Sequence, residues 1–187
     1  MRRNVTRLVP IAFAFSCIAA PSATADEHTA APQIAPGQLS AIDFNFVGQA
    51  NLGAAFQIDS GRIAEAKGST AGIHEYAHLM VTSHIPVVEA LNVILQRKNV
   101  TPSNTLLHGA YNAMLSTLKA EGGGPFDRDY VNGQVEYQKG NAALFRQEIQ
   151  RGNDPDLKRF AQETLPKIED HLHRAERLAS SGGNASN

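Results

Sequence analysis

The sequence predicts an all-α protein, an antiparallel four-helix bundle with a short extra helix in its central connection. Three observations carry that reading. Apolar residues recur at helical spacing over long stretches, and no segment alternates apolar with polar residues as a strand would. Two tight breaks, Gly68-Ser69-Thr70 and Gly152-Asn153-Asp154-Pro155, join long helices in pairs. A longer connection, closed by Gly122-Gly123-Gly124-Pro125, separates the two pairs and is long enough to hold a small helix.

Taken in order, the chain opens on a targeting pattern. Met1 to Arg7 carries Arg2, Arg3 and Arg7, Leu8 to Ala20 is a short apolar run, and Ala23-Thr24-Ala25 is a small-x-small cleavage site. The expectation is a signal peptide over residues 1–25, cut after Ala25, and a periplasmic or secreted protein. The apolar run is shorter than the roughly 20 residues a membrane span needs, so no transmembrane segment is expected in the mature chain. Cys17, the single cysteine of the 187 residues, lies inside that segment, and its neighbours fit a lipid-anchor signal poorly. Cleavage would leave no thiol for disulfides, nucleophiles or metal ligands. It would also remove three of the 17 basic residues and none of the 18 acidic ones, for a net charge of −4. A mildly acidic chain has no electrostatic attraction for nucleic acid.

Residues 26–38, rich in Ala, Pro and Thr, read as a flexible leader. The bundle is expected over residues 39–180 and a disordered tail over 181–187. The first helix starts at Ser40, with Asp43 completing a capping box, and runs to about Lys67. The second spans about Ala71 to Lys98 with Pro86 inside it, which should kink it. A shorter helix covers about Thr105 to Ala120. The next begins near Phe126 and ends at Gly152. Asp154-Pro155 supplies an N-cap and a first-turn proline for the last helix, which runs to about Ser180.

Helical phase, at about 100° per residue, selects the polar residues that face the core. His84 falls within the apolar arc of Ile73, Tyr76, Ala77, Met80, Val87, Leu91 and Leu95. Gln57 lies on the stripe of Phe46, Ala50, Ala54, Gly61 and Ala64. Tyr137 sits within the stripe of Phe126, Tyr130, Gly133, Asn141 and Leu144. His171 stands at the edge of the stripe of Leu157, Ala161, Leu165, Ile168, Leu172 and Ala175. Counting back from the hairpin turns puts Gln57 level with His84, and Tyr137 level with His171. The expectation is a buried polar layer of Gln57, His84, Tyr137 and His171, with His84 and His171 as the candidate metal ligands.

Other pairings carry less. Glu75 and His78 match Glu-x-x-His but project almost opposite the stripe, and Asp170 with His173 has the same defect. His74 and His78 could chelate only a surface ion. His108 has no expected partner, and Asp127, Arg128 and Asp129 flank a helix start. No phosphate loop, nucleophile elbow or zinc-protease motif is present.

Five segments carry a family resemblance: Gly61-Arg62-Ile63-Ala64, Tyr76 to His84, Phe126-Asp127-Arg128-Asp129-Tyr130, Ala143-Leu144-Phe145, and Thr164 to Leu172. Through them the chain, over about Leu39 to Leu178, resembles a family of exported bacterial ferritin-like bundle proteins of unknown function, often labelled outer-membrane proteins. The resemblance implies a ferritin-like bundle in which His84 and His171 match family histidines. Where that family usually has Glu and His, this chain has Gln57 and Tyr137; Ser83 replaces the usual acid before the first histidine, and Pro86 is also unusual. A carboxylate with three imidazoles could hold a divalent transition metal. Two imidazoles with an amide and a phenol make a poorer metal site and a good hydrogen-bond cluster. A di-iron oxidase, which needs about four inward carboxylates and two histidines, is not supported. The expected function is a non-catalytic interaction or stress-associated envelope protein with no required cofactor, of unknown partner, peripheral association with the envelope being open to it. The alternative is a metal- or small-ligand-binding module using His84 and His171.

Overall fold

The computed structural model describes residues 39–101 and 105–183, and all the regular structure among them is helical. The expected signal peptide, the leader and the last residues of the tail lie outside the described residues. Five helices follow in order: α1 (Ala41–Lys67), α2 (Ala71–Arg97), α3 (Thr105–Ala120), α4 (Gly123–Arg151) and α5 (Pro155–Gly183).

Local chemistry sets most helix ends. Ser40 Oγ accepts from the Asp43 amide at 3.1 Å, and the Asp43 carboxylate accepts from the Ser40 amide at 3.1 Å, completing a reciprocal capping box. Thr70 caps α2 by accepting from Ile73 N. Asn99 closes α2 in the left-handed region at φ 54°, a conformation that asparagine tolerates. Asp154 Oδ1 accepts from the amides of Asp156 and Leu157 at 3.0 and 3.1 Å, and Pro155 needs no donor at the first position of α5. Lys67 caps the end of α3 from another helix, donating to the carbonyls of Leu118, Lys119 and Glu121.

Two boundaries differ from expectation. α4 starts at Gly123, inside the glycine run, because Gly123 adopts φ 61° and Pro125 sits in the first turn, where its missing amide hydrogen costs nothing. α2 keeps the single-helix span expected of it, with Pro86 inside it and exposed. α5 continues to Gly183, into the segment expected as tail.

α1 packs on α2, α4 packs on α5, and further contacts join α1 to α4 and α2 to α5, while α3 lies mainly against α1. Burial falls into two apolar clusters. One gathers Phe46, Leu91, Leu95, Phe145, Leu157 and Phe160, with Phe46 edge-on to Phe145 at 4.9 Å between ring centres. The other gathers Ala64, Ile73, Met80, Phe126, Tyr130 and Ala175. On every long helix the stretch between the two clusters carries buried polar residues: Gln57 and Ser60 on α1, His84 on α2, Gln134 and Gln138 on α4, and His171 on α5.

Candidate functional site

His84 and His171 face each other in this polar belt, with ring centres 5.3 Å apart and planes inclined by 37°. His84 Nδ1 donates to the carbonyl of Met80, one turn earlier, at 2.9 Å. A carbonyl can only accept, so the ring proton sits on Nδ1 and Nε2 keeps its lone pair. Ser83 lies 3.3 Å from the same nitrogen but donates its own hydroxyl to Leu79 O at 2.6 Å. His171 Nδ1 is buried without a partner.

Burial pushes both imidazoles down to about 4, against the Met80 bond for His84 and reinforced by the proximity of His84 for His171. Both rings are therefore neutral near pH 7. They line a cavity of about 10 Å³, together with Ala50 and Ala54 of α1, Asn141 of α4, and Thr164 and Lys167 of α5. That volume admits about one water molecule. Among the described residues, no group of three or more His, Cys, Asp or Glu side chains is placed to hold a metal ion.

The other two expected members of the layer are not hydrogen-bonded to this pair. Gln57 is fully buried, and neither end of its amide has a hydrogen-bond partner. Tyr137 belongs to an aromatic group instead: its ring lies 5.6 Å from Phe56 and 6.5 Å from Tyr111, which themselves stack at 4.8 Å. Its hydroxyl fills the space that a side chain at Gly53 would need, so that glycine makes room for it. Among the described residues, no hydrogen bond joins Gln57 or Tyr137 to either histidine.

Gln134 and Gln138 take the place that phase assigned to Tyr137. Gln138 Nε2 approaches Met80 Sδ at 3.5 Å, and Gln134 Nε2 donates to Ser60 Oγ at 3.5 Å. Tyr76 donates to Gln134 Oε1 at 3.5 Å and to the carbonyl of His171 at 3.3 Å. The signal was present: Phe126, Tyr130, Gln134, Gln138 and Ala142 repeat every four residues and are all buried. The stripe read through Gly133 and Asn141 runs one residue to the side of it, and both are only half-buried.

The weaker candidates resolve into surface chemistry. His78 Nδ1 pairs with Glu65 at 2.9 Å and stands exposed, and His173 lies beside Glu176 at 3.6 Å. Asp170 pairs with Arg174 at 2.7 Å. Asp127 reaches the α1–α2 turn, where its carboxylate accepts from the Ser69 amide at 3.1 Å and from the Ser69 hydroxyl.

The arrangement offers two neutral imidazoles around a water-sized space, and no buried carboxylate stands among the residues that line it. No curated protein matches the sequence. In three dimensions the chain is similar to the crystal structure of a DUF305 fragment from Deinococcus radiodurans, with a TM-score of 0.68 and 13% identity, over 76% of this chain and 98% of that one. The likeness is one of fold. The DUF4142 family, described as a domain of unknown function, matches residues 28–178, and the chain belongs to that family.

Proposed function

We propose that this protein is an exported, non-catalytic bundle of the antiparallel four-helix, ferritin-like type that works in the bacterial envelope by interaction, in ordinary or stressed cells. The observation that carries the non-catalytic part is the size of the space at the histidine pair. Its roughly 10 Å³ leaves no room for an organic substrate beside the imidazoles. The basic, apolar and small-residue pattern of residues 1–25 supports export, and the alternation of tight and long connections supports the antiparallel order. Among the described residues, α2 alone is long and apolar enough to cross a membrane, with mean hydropathy 1.4 over its best window. It also carries Met80, His84 and Leu91 into the core, which supports reading it as a bundle helix with any envelope association peripheral.

The test expresses the full chain and follows its fate. Intact mass should show cleavage after Ala25 and the product should appear in the periplasmic fraction or the medium. An uncleaved chain retained in the cytoplasm overturns the reading.

One observation favours a second reading. The unpartnered Nδ1 of buried His171, beside the free lone pair of His84, makes a two-imidazole site for a divalent transition metal. Titration of the cleaved protein with Zn, Cu, Mn and Fe separates the two. Stoichiometric binding lost in both His84→Ala and His171→Ala establishes the site. An equal response of wild type and the double variant removes it.

A further inference from the structure

A second buried titratable pair lies away from the histidines, where the start of α1 meets the α4–α5 turn. Asp43 of α1 is 1% exposed and Glu148 of α4 is fully buried, and their carboxyl groups lie against each other. The two are not equivalent. Asp43 Oδ2 accepts from the amide and hydroxyl of Ser40 at 3.1 and 2.5 Å, and Oδ1 accepts from the amides of Asn153 and Asp154 at 2.9 and 3.2 Å. Neither oxygen of Glu148 receives a donor. A buried carboxylate with no donor is strongly disfavoured, whereas a carboxylic acid can donate its proton to the neighbouring anion.

We infer that Asp43 and Glu148 share one proton in a clasp that holds the α4–α5 turn on the start of α1, and that loss of this proton loosens the turn. Closing the clasp places the proton on Glu148 and donates it to Asp43; opening it transfers the proton to solvent and leaves two carboxylates in contact. The turn is shaped for the closed form. A side chain at Gly152 would collide with the Glu148 carboxyl group and lie 2.6 Å from the Glu148 carbonyl.

The charged groups around the pair are committed elsewhere. Lys98 at the end of α2 is held by Asp154 at 2.7 Å and Asp156 at 3.0 Å, and Arg97 also faces Asp156. On α5, Lys158 donates to the carbonyl of Gly152 at 3.0 Å, and Arg159 lies 3.7 Å from Asp156. Of these, Lys158 favours ionisation of Glu148 and Asp154 opposes it. Burial first, then Asp43, raises Glu148 to about 8, while the Ser40, Asp154 and Asn153 bonds outweigh desolvation and hold Asp43 below its ordinary range. The clasp is thus closed at neutral pH and opens in mild alkali.

The test is NMR on the full chain with ¹³C-labelled glutamate carboxyls, from about pH 6 to about pH 9.5. The Glu148 carboxyl should titrate near 8, and the amide shifts of Asn153 and Asp154 should follow the same midpoint. Exchange protection of those two amides, corrected for base catalysis, should fall about tenfold or more across the transition. In Glu148→Gln the amide can still donate to Asp43, so the shifts of Asn153 and Asp154 should lose that midpoint. A Glu148 carboxyl already ionised at pH 6 overturns the clasp, as does an unchanged titration of the two amides in Glu148→Gln. The wild-type carboxyl titration decides the matter by itself should that variant not fold.

Discussion

At the α1 start, Asp43 uses both carboxylate oxygens to accept four hydrogen bonds. In the polar belt between the apolar clusters, Gln57, Gln138 and His171 bury polar atoms with no partner. Asp43 and these belt residues are alike buried, yet the Asp43 carboxylate is bonded through both oxygens and the belt groups are left with unpaired atoms. The difference follows from where each lies on the helices. A helix end offers free amides that a carboxylate can collect. A mid-helix core position offers no free amides, only side chains and carbonyls already bonded within the helix, such as those of Met80 and His171. Polar groups at ends therefore add stability, while those in the middle hold neutral, weakly tethered groups in place.

The comparison breaks most easily at Asp43. Asp43→Ala should cost about 3–5 kcal/mol in urea unfolding, because it strands the Ser40, Asn153 and Asp154 donors and leaves the buried Glu148 without its acceptor. A loss under about 1 kcal/mol would show that the end is not the strong region.

Next in size is the acid response of the belt. His84 and His171 titrate near 4 in the folded protein against 6.5 when free. Between these values the unfolded chain binds the extra protons, so stability should fall as pH drops from about 6.5 to about 4, by on the order of 3 kcal/mol for each imidazole. Above that window the contribution is fully present. Glu148 acts in the opposite sense above its ordinary value of 4.5, since the folded protein holds that proton up to about 8. Comparison with the double variant His84→Gln, His171→Gln cancels the Glu148 part, and the double variant should lose the acid slope. An equal slope in both proteins would mean that the imidazoles are solvated.

Gly152→Ala sharpens the other side. The added methyl meets the Glu148 carboxyl group and backbone, and a cost of about 1–3 kcal/mol is expected from forced repacking. A neutral substitution would show slack in the turn, which the clasp does not allow.

The same division marks what could be read in advance. The capping box of Ser40 and Asp43 and the Asp154-Pro155 start are local patterns, visible within a few residues, and they place the ends of α1 and α5. Burial of His84 and His171 follows from phase. Their adjacency depends on how α2 and α5 meet, which helical spacing alone does not specify. On α4, two stripes one residue apart compete: one runs through Gly133 and Asn141, the other through Gln134 and Gln138. Small residues made the first look like core, but the interior accepted glutamines. Tyr137 is drawn toward Phe56 and Tyr111 by aromatic packing and by the gap at Gly53, neither of which appears in its own helix. Glu148 continues the buried rows of α4, but its partner lies on α1, 105 positions earlier in the chain.

Gln57 gives the finest test of the belt. With both amide atoms unpaired and the side chain fully buried, the group has already met its desolvation cost without a bond in return. Met has nearly the same shape and removes that cost, so Gln57→Met should leave stability within about 1 kcal/mol of wild type, or raise it. Thermal unfolding at about pH 7, where both imidazoles are neutral, is the clean measurement. A loss above about 2 kcal/mol would mean that the amide is satisfied in solution by an internal water or a bound ligand. Gln57 would then be as fully bonded as Asp43, and the contrast between the two regions would disappear.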